Sequence, residues 1–264
     1  MDLQLKGKTA LVTGSTAGIG FATARLLAAE GASVIITGRT QERIDEAIAA
    51  IKKEQHGALV KGMPVDFSKA EQVQLLIDQF PEVDILVNNV GIFEPKDFAE
   101  IRDEEWFRFF EVNVLSGVRL SRQYFPKMIE KNWGRIIFIS SESAVNIPSE
   151  MIHYGMTKTA QLSVARGLAE LTKGSNVRVN SVLPGPTKSE GVVEFINDLA
   201  RQQNISREEV ETDFFKSARP TSLIQRFATT EEIANMIVFM ASPLSAATNG
   251  AAIRADGGIV HSII

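Results

Sequence analysis

The sequence contains no cysteine, which excludes disulfide bonds, thiolate metal sites and a cysteine nucleophile. Its three histidines, His56, His153 and His261, form no pattern typical of a zinc site. No uncharged apolar run approaches the ~18–20 residues that span a bilayer, and the first residues lack the apolar core of a signal peptide. A block of basic residues suited to nucleic-acid phosphates is also missing. We therefore expect a cytoplasmic protein with no metal, no membrane association and no nucleic-acid partner.

What the chain does contain fits one large α/β domain. It has 264 residues, of which 44% are hydrophobic and 23% are charged, with a net charge of −4. Short runs rich in Val, Ile and Leu predict strands at 9–13, 33–37, 58–63, 84–89, 135–140 and 177–183. These runs lack polar alternation, which is typical of strands buried on both faces. We predict a doubly wound, Rossmann-type parallel sheet of about seven strands in a single domain, 1–264, with helices on both faces.

Helical patterns separate the predicted strands, and one segment interrupts the alternation. The helices are predicted at 19–30, 41–54, 69–79, 103–131 and 150–173. Residues 186–228 follow a strand and mix amphipathic patches with charge. Ligands of open α/β sheets lie outside the carboxyl ends of the strands, so we predict that this insert is a substrate lid. The alternative is a surface hairpin without a role; its Phe195, Phe214 and Phe215 suit either an apolar pocket or a core.

A glycine-rich loop, "TGSTAGIG" at 13–20, directly follows the first predicted strand and opens a helix. Gly14, Gly18 and Gly20 allow a tight turn, close approach of the backbone to a pyrophosphate and close helix–strand packing. The helix N-terminus adds free N–H groups and partial positive charge for the phosphates. No Lys-Ser/Thr pair follows the last glycine, so the loop is not a P-loop for ATP or GTP. We predict a dinucleotide site.

The residue after the second strand bears on which dinucleotide binds. Proteins that bind NAD place an acidic residue there for the ribose 2′-hydroxyl, whereas this sequence has Arg39 in "ITGRTQER". An arginine can pair with a 2′-phosphate through charge-assisted hydrogen bonds. We therefore predict a preference for NADP(H), with NAD(H) possible. The alternative is that Arg39 is only a solvated residue before a helix.

The segment "HYGMTKTA", 153–160, places Tyr154 and Lys158 on one face of a predicted helix. This spacing is common by chance, and a surface pair is the alternative. A phenol titrates near ~10, but a positive charge ~4 Å away at an effective dielectric of ~20 is worth up to ~4 kcal/mol, or roughly three pKa units. Such a tyrosine could exchange protons with a carbonyl or an alcohol. His153 points about 100° away from its neighbour, so we expect it to be packed in the core or in an interface.

Seven motifs occur together in one order along almost the whole chain. They are "TGSTAGIG" at 13–20, "NNVG" at 88–91, Asn113 in "EVNV", Ser141, "YGMTK" at 154–158, "PGPTKS" at 184–189 and "NGAAIRADGG" at 249–258. In this combination the chain resembles a classical short-chain dehydrogenase/reductase. The resemblance implies hydride transfer between NADP(H) and a secondary alcohol or ketone carbon. It leaves the substrate open among 3-oxoacyl thioesters, sugars and small ketones.

The resemblance also implies catalytic roles. Tyr154 would be the general acid and base, and Ser141 would bind the substrate oxygen. Lys158 would hold the nicotinamide ribose and lower the tyrosine pKa. Asn113 would kink its helix and support a water that relays protons to Lys158. A homotetramer or dimer, packed through 103–131, 150–173 and the C-terminal segment, is the implied assembly.

The cofactor contacts implied by the family pattern are spread over five segments. Those for the pyrophosphate are Gly14, Ser15, Gly18, Ile19 and Gly20. Those for the adenosine are Asp66, Phe67, Asn88 and Gly91. Those for the nicotinamide side are Tyr154, Lys158, Pro184 and Thr187. The family usually has alanine at the position of Val90, and the larger side chain is expected to tighten the cofactor wall.

Two rival functions share parts of this pattern. A nucleotide-sugar epimerase or dehydratase has the glycine loop and the Tyr/Lys spacing, but such chains look longer and carry a substantial C-terminal substrate domain. A catalytically silent NADP(H)-binding sensor or scaffold would have the fold without turnover. Such a protein would be expected to have lost part of the set Asn113, Ser141, Tyr154 and Lys158, which is complete here.

Overall fold

The protein is organised around one parallel β-sheet of seven strands. The computed structural model describes residues 2–263 except the side chain of Phe195, so the expectation for that side chain lies outside the described part. The strands are β1 (Thr9–Val12), β2 (Ser33–Gly38), β3 (Val60–Pro64), β4 (Ile85–Asn88), β5 (Gly134–Ile139), β6 (Val177–Pro184) and β7 (Ala252–Ala255). Their order is β3-β2-β1-β4-β5-β6-β7, and every neighbouring pair is parallel. The predicted doubly wound sheet in a single domain is confirmed.

Nine α-helices connect or flank the strands in the described part of the chain. They are α1 (Gly18–Ala29), α2 (Gln41–Glu54), α3 (Ala70–Gln79), α4 (Asp103–Phe110), α5 (Ser116–Glu130), α6 (Ile152–Glu170), α7 (Glu190–Gln203), α8 (Arg207–Ser217) and α9 (Thr230–Ala241). None of the helices within residues 2–263 is long and apolar enough to cross a membrane. The predicted helix 103–131 is divided, because a π-helical turn at Glu111–Leu115 separates α4 from α5.

Two apolar cores cover the two faces of the sheet. On one face, α1, α2 and α9 pack over side chains such as Val12, Ile36 and Val87. On the other face, α3, α5 and α6 pack over Leu11, Leu86 and others. Because alternate strand residues point to opposite faces, both must be apolar, which explains the continuous hydrophobic runs in the sequence.

The crossover reverses between β1 and β4, which are neighbours in the sheet although β2 and β3 lie between them in the chain. A crevice opens at the carboxyl ends of the strands at such a point, where open α/β sheets bind ligands. The glycine loop follows β1, and the "NNVG" motif begins on β4. The topology therefore brings these two motifs to the same crevice.

Residues 186–228 form a separate structural element beside the crevice. They contain α7 and α8 and end in an isolated bridge between Thr187 and Ala228. The segment has its own small apolar cluster, built from Ile196, Ala200, Val210, Phe215 and Phe227. Phe214 stacks on Phe227 with ring centroids 5.1 Å apart. This cluster gives the segment internal packing independent of the two main cores.

Candidate active site

Lys158 lies on α6, one turn after Tyr154, and its ammonium group is buried. Its Nζ donates a hydrogen bond of 2.9 Å to the carbonyl of Ile139, the last residue of β5, and lies 5.6 Å from the centre of the Tyr154 ring. Burial lowers the pKa of Lys158 to about 7, since the charged form loses its hydration. Lys158 is therefore only partly protonated near neutral pH.

Tyr154 stands in the first turn of α6, and its phenol is held in the protonated form. Burial raises its pKa to about 12, and a hydrogen bond with Ser141 opposes that rise. The sequence predicted a lower pKa, and in this structure that prediction is wrong. It assumed a fully charged lysine ~4 Å away; here desolvation of the phenolate dominates, and burial makes the lysine itself partly neutral.

Ser141 comes directly after β5 and begins a 3₁₀ helix at Glu142–Ala144. Its Oγ accepts a hydrogen bond of 3.1 Å from the backbone N–H of Ser143, which fixes the hydroxyl beside Tyr154. The neighbouring Ser140 is used differently, because its Oγ donates to the carbonyl of Lys158 at 2.8 Å. One serine thus faces the phenol while the other ties β5 to α6.

Asn113 is fully buried within the π-helical turn. Its Oδ1 accepts from the N–H of Ile92 at 2.8 Å, and its Nδ2 donates to the carbonyl of Ile92 and to Thr157, both at 3.0 Å. Its carbonyl accepts from Gln161 at 2.6 Å. Single π turns often mark functional sites in helices. Asn113 therefore joins the loop after β4 to the helix that carries Tyr154 and Lys158.

The glycine loop adopts a conformation that its glycines make possible. Gly14 and Gly18 have φ values of 59° and 58°, which L side chains seldom adopt. A Cβ on Gly20 would lie 2.4 Å from the carbonyl oxygen of Gly14, so any larger residue would push α1 away from the loop. Asn89 secures the loop, since its Nδ2 donates to the carbonyls of Thr13 and Gly14 at 2.9 and 3.0 Å.

Two adjoining clefts contain most of the predicted cofactor residues. A groove of about 640 Å³ is lined by Gly14, Arg39, Asp66, Phe67, Val90 and Gly91. A smaller cleft of about 240 Å³ is lined by Ile19, Gly20, Gly91, Ser141, Tyr154, Lys158, Pro184 and Thr187. Gly91 belongs to both, and a Cβ there would lie 3.3 Å from Lys158 Nζ. The two clefts form one continuous path, elongated as a dinucleotide site requires.

Ser15, Gly18 and Asn88 do not line this path. The Ser15 hydroxyl is fully buried, donating to the carbonyl of Val12 at 2.6 Å and accepting from the N–H of Thr37 at 3.1 Å. The Asn88 side chain points away from the path and donates to Ser121 at 3.3 Å. These hydrogen bonds give the two side chains a structural role, and the cofactor contacts expected for Ser15, Gly18 and Asn88 stay predictions. Gly18 opens α1.

Sequence reasoning missed two residues at the path. Asn89 lines both clefts, whereas we predicted Asn88 as the asparagine of the "NNVG" motif that contacts the cofactor. Alternation along β4 could have separated the two asparagines, because adjacent strand residues face opposite ways. Arg43 lines the larger groove together with Arg39 and pairs with Glu190 of α7 at 2.8 Å. Its place in the first turn of α2, four residues after Arg39, was the available signal.

The side chain of His153 is packed against aromatic rings, in agreement with the prediction that it lies in the core or in an interface. Its ring lies 4.0 Å from the Phe109 ring and 5.9 Å from the Trp106 ring, measured between centroids. The side chain is buried, and burial lowers its pKa. Among the described residues, no group of acidic and histidine side chains is arranged to hold a metal ion.

A third cavity, of about 540 Å³, opens beside the phenol. Ser141 and Tyr154 are among the residues that line it. The apolar side chains of the 186–228 segment that line it are Val192, Ile196, Leu199, Val210, Phe214 and Phe227. Tyr154 and Ser141 therefore stand between this apolar cavity and the elongated path.

The short chain dehydrogenase family model matches residues 8–199. This range includes the glycine loop, Asn113, Ser141, Tyr154 and Lys158. Over the whole chain, an uncharacterized oxidoreductase of Bacillus subtilis (YvaG) is 54% identical, with 100% of both proteins covered.

Two more distant relatives have names that state an activity. The 3-oxoacyl-[acyl-carrier-protein] reductase FabG of Aquifex aeolicus is 31% identical over 98% of this chain and 100% of its own. A crystal structure of L-sorbose reductase from Gluconobacter frateurii, complexed with NADPH and L-sorbose, superimposes with a TM-score of 0.93. It is 31% identical, and 100% of both chains is covered.

Proposed function

The chain belongs to the short-chain dehydrogenase family and is an oxidoreductase, and on that premise we propose that it transfers a hydride between NADP(H) and the carbon of a secondary alcohol or ketone. The observation that carries the proposal is the meeting of Ser141, Tyr154 and Lys158 in one cleft that continues into the glycine-loop groove. Bound NADP(H) would supply or accept the hydride. A carbonyl in the apolar cavity can reach the same cleft from the other side.

Each catalytic group has one task in this proposal. Tyr154 gives a proton to the carbonyl oxygen during reduction, and its raised pKa keeps it in the proton-bearing form at neutral pH. Ser141 donates a hydrogen bond to the same oxygen, where negative charge develops. Lys158 would hold the ribose hydroxyls of the cofactor, and Asn113 would support a water that relays protons to Lys158.

The preference for NADP(H) rests on the charges at the adenosine end. Arg39 and Arg43 line the groove there, and Asp66 is the acidic side chain in the same lining. Arg39 can bind a 2′-phosphate through charge-assisted hydrogen bonds, and Arg43 can do so by exchanging its exposed partner Glu190 for the phosphate. The structural relative complexed with NADPH supports this choice, and NAD(H) remains the weaker alternative.

The 186–228 segment is proposed to be the substrate lid, because α7 and α8 line the cavity beside Ser141 and Tyr154. A 3-oxoacyl thioester, a sugar or a small ketone would enter there, in line with the reductases named among the relatives. The proposed assembly is a homotetramer or dimer. It would bury exposed apolar side chains such as Phe107 and Leu223, which are 73% and 80% exposed.

The decisive experiment compares the two tyrosines of the chain. Tyr154→Phe should reduce kcat by about 10²–10⁴-fold, the usual contribution of a positioned acid, while NADPH binding measured by fluorescence is retained. Tyr124→Phe is the matched control, because it removes a buried hydroxyl that only donates to the carbonyl of Phe80 at 2.8 Å. Normal turnover by Tyr154→Phe on a ketone substrate would refute the mechanism.

A catalytically silent NADP(H) sensor or scaffold is the second candidate. It would bind NADPH with the same groove but would reduce no ketone. Stopped-flow oxidation of NADPH over sugars, small ketones and 3-oxoacyl thioesters separates the two. Consumption of NADPH with any of these substrates by the wild-type protein, and not by Tyr154→Phe, supports the enzyme.

A further inference from the structure

The cavity beside Tyr154 has an unbalanced set of charged side chains. Of the residues that line it, Glu142, Glu150 and Asp213 are acidic, and Arg219 is the single basic one. Lys158 belongs to the adjoining cleft, where its Nζ is already bonded to the carbonyl of Ile139. Lys216, outside the lining, pairs with Asp213 at 3.9 Å. The excess of negative charge among the described residues therefore lies mainly at Glu142 and Glu150.

Arg219 offsets one of these three negative charges, and its hydrogen-bonding groups are already used by the protein. Its Nε donates to Glu142 Oε1 at 3.0 Å, and one Nη donates to Glu150 at 3.4 Å and to the carbonyl of Ala218 at 2.8 Å. The side chains of Arg219 and Glu142 are 11% and 4% exposed, so water screens this pair poorly. A substrate carboxylate would have to compete with two carboxylates for one guanidinium.

Glu142 is the acidic group closest in sequence to the reacting atoms, since it follows Ser141 directly. Its Oε2 is buried and has no hydrogen-bond partner within the part of the chain that the structure describes. Burial raises the pKa of Glu142, the charge and hydrogen bond of Arg219 oppose that rise, and the negative potential of Asp256, another buried acidic side chain, adds to it. An anion placed on Ser141 and Tyr154 would thus lie beside a charge of its own sign in poorly hydrated surroundings, where repulsion is strong.

Most of the remaining lining is apolar, although Ser143, Gln203 and Ser217 also belong to it. Val192, Ile196 and Leu199 of α7 line it, with Val210 and Phe214 of α8. These side chains gain from contact with hydrocarbon and give a carboxylate no hydrogen bond.

From this distribution, and resting on the proposed function, we propose that the cavity selects uncharged ketones with an apolar chain. It rejects ketones that carry a carboxylate near the carbonyl. Glu142, held in place by Arg219, is the residue that decides this selectivity, and Glu150 supports it.

The test uses acetoacetate and acetoacetamide, which have nearly the same shape and differ by one charge. The ratio of their kcat/KM values is measured in the wild type and in Glu142→Gln, so that the intrinsic reactivity of each ketone cancels between the proteins. One charge ~8 Å away at an effective dielectric of ~20 corresponds to roughly 30-fold. Glu142→Gln should therefore raise the acetoacetate-to-acetoacetamide ratio by about 10- to 30-fold.

Two further variants keep the test decisive if Glu142→Gln folds poorly. Glu150→Gln should raise the ratio by roughly 3-fold, because its side chain is 46% exposed and better screened. Glu170→Gln removes a carboxylate that pairs with Arg166 near the end of α6, outside the residues lining the cavity, and should leave the ratio unchanged. An unchanged ratio in both Glu142→Gln and Glu150→Gln overturns the proposal.

A binding measurement separates failure of this inference from failure of the proposed function. The fluorescence of protein-bound NADPH is titrated with each ketone, and the wild type should bind acetoacetamide more tightly than acetoacetate. Equal or tighter binding of acetoacetate overturns the charge argument even if ketones are reduced. If no ketone in the panel consumes NADPH, the proposed function is wrong, and the binding order still tests the charge argument.

Discussion

Replacing Lys158 by methionine should change how the stability of the protein depends on pH. Burial lowers the pKa of Lys158 to about 7 from the ordinary value of 10.5. Between these values the unfolded chain binds a proton that the folded protein has lost, so the free energy of unfolding rises with pH. The destabilisation is complete below pH 7 and disappears as the pH approaches 10.5.

The magnitude follows from the two pKa values. Holding Lys158 in the folded protein costs about 4 kcal/mol at pH 7 and about 2 kcal/mol at pH 9, at 1.36 kcal/mol per pKa unit. The wild type should therefore gain about 2 kcal/mol over this range relative to Lys158→Met. For a chain of this size the gain corresponds to a relative rise in Tm of about 4–8 °C. The Lys158→Met substitution also leaves the carbonyl of Ile139 without its hydrogen bond, a cost that does not depend on pH.

The assay is thermal or urea unfolding of both proteins without added cofactor, at several pH values from 6 to 9. Taking the difference between the two proteins cancels every other titrating group. Lys173→Met, which removes a lysine from the exposed turn after α6, controls for the loss of a positive charge. Parallel stability curves for the wild type and Lys158→Met would refute the inference that burial makes this lysine partly neutral.

Two further predictions concern the groove and the last helix. Arg39→Ala combined with Arg43→Ala should weaken NADPH binding by about 10- to 100-fold, because hydrogen bonds to charged groups contribute about 1.5–3 kcal/mol. NADH binding should weaken by far less. Equal losses of affinity for both nucleotides in fluorescence titrations would contradict the predicted phosphate contact. Thr229→Ala removes the N-cap of α9, whose Oγ accepts a hydrogen bond from the N–H of Glu232 at 3.1 Å. It should lower the free energy of urea unfolding by about 1 kcal/mol, and a loss of less than a few tenths of a kcal/mol would show that the cap is dispensable.

The architecture could be predicted from the sequence because it depends on local patterns. Strand β2 was predicted at 33–37 and lies at Ser33–Gly38, and α2 was predicted at 41–54 and spans Gln41–Glu54. Runs of consecutive apolar residues located the strands, and apolar residues recurring at the helical period located the helices. The π-helical turn at Glu111–Leu115 could not be predicted in this way, because it is stabilised by contacts of Asn113 with Ile92 and Thr157, distant in sequence.

The candidate site was predictable at the level of motifs and less so at the level of side-chain direction. The structure brings together Ser141, Tyr154 and Lys158, a grouping that the resemblance to the family implied. We predicted Asn88 rather than Asn89 as a cofactor contact, because the motif does not specify which of the two side chains faces the crevice. The direction of each side chain depends on where β4 ends and on which face of the strand packs against α5, and both are set by the tertiary structure.

The pKa values of Tyr154 and Lys158 were the least predictable property, because they depend on hydration more than on spacing. The helical period correctly places the two on one face, and a Coulomb estimate then predicts mutual stabilisation of phenolate and ammonium. Burial opposes both charges at once, raising the pKa of Tyr154 to about 12 and lowering that of Lys158 to about 7. Since both neutral forms are favoured together, the cleft holds a tyrosine that still has its proton, which is the form that reduction of a carbonyl requires.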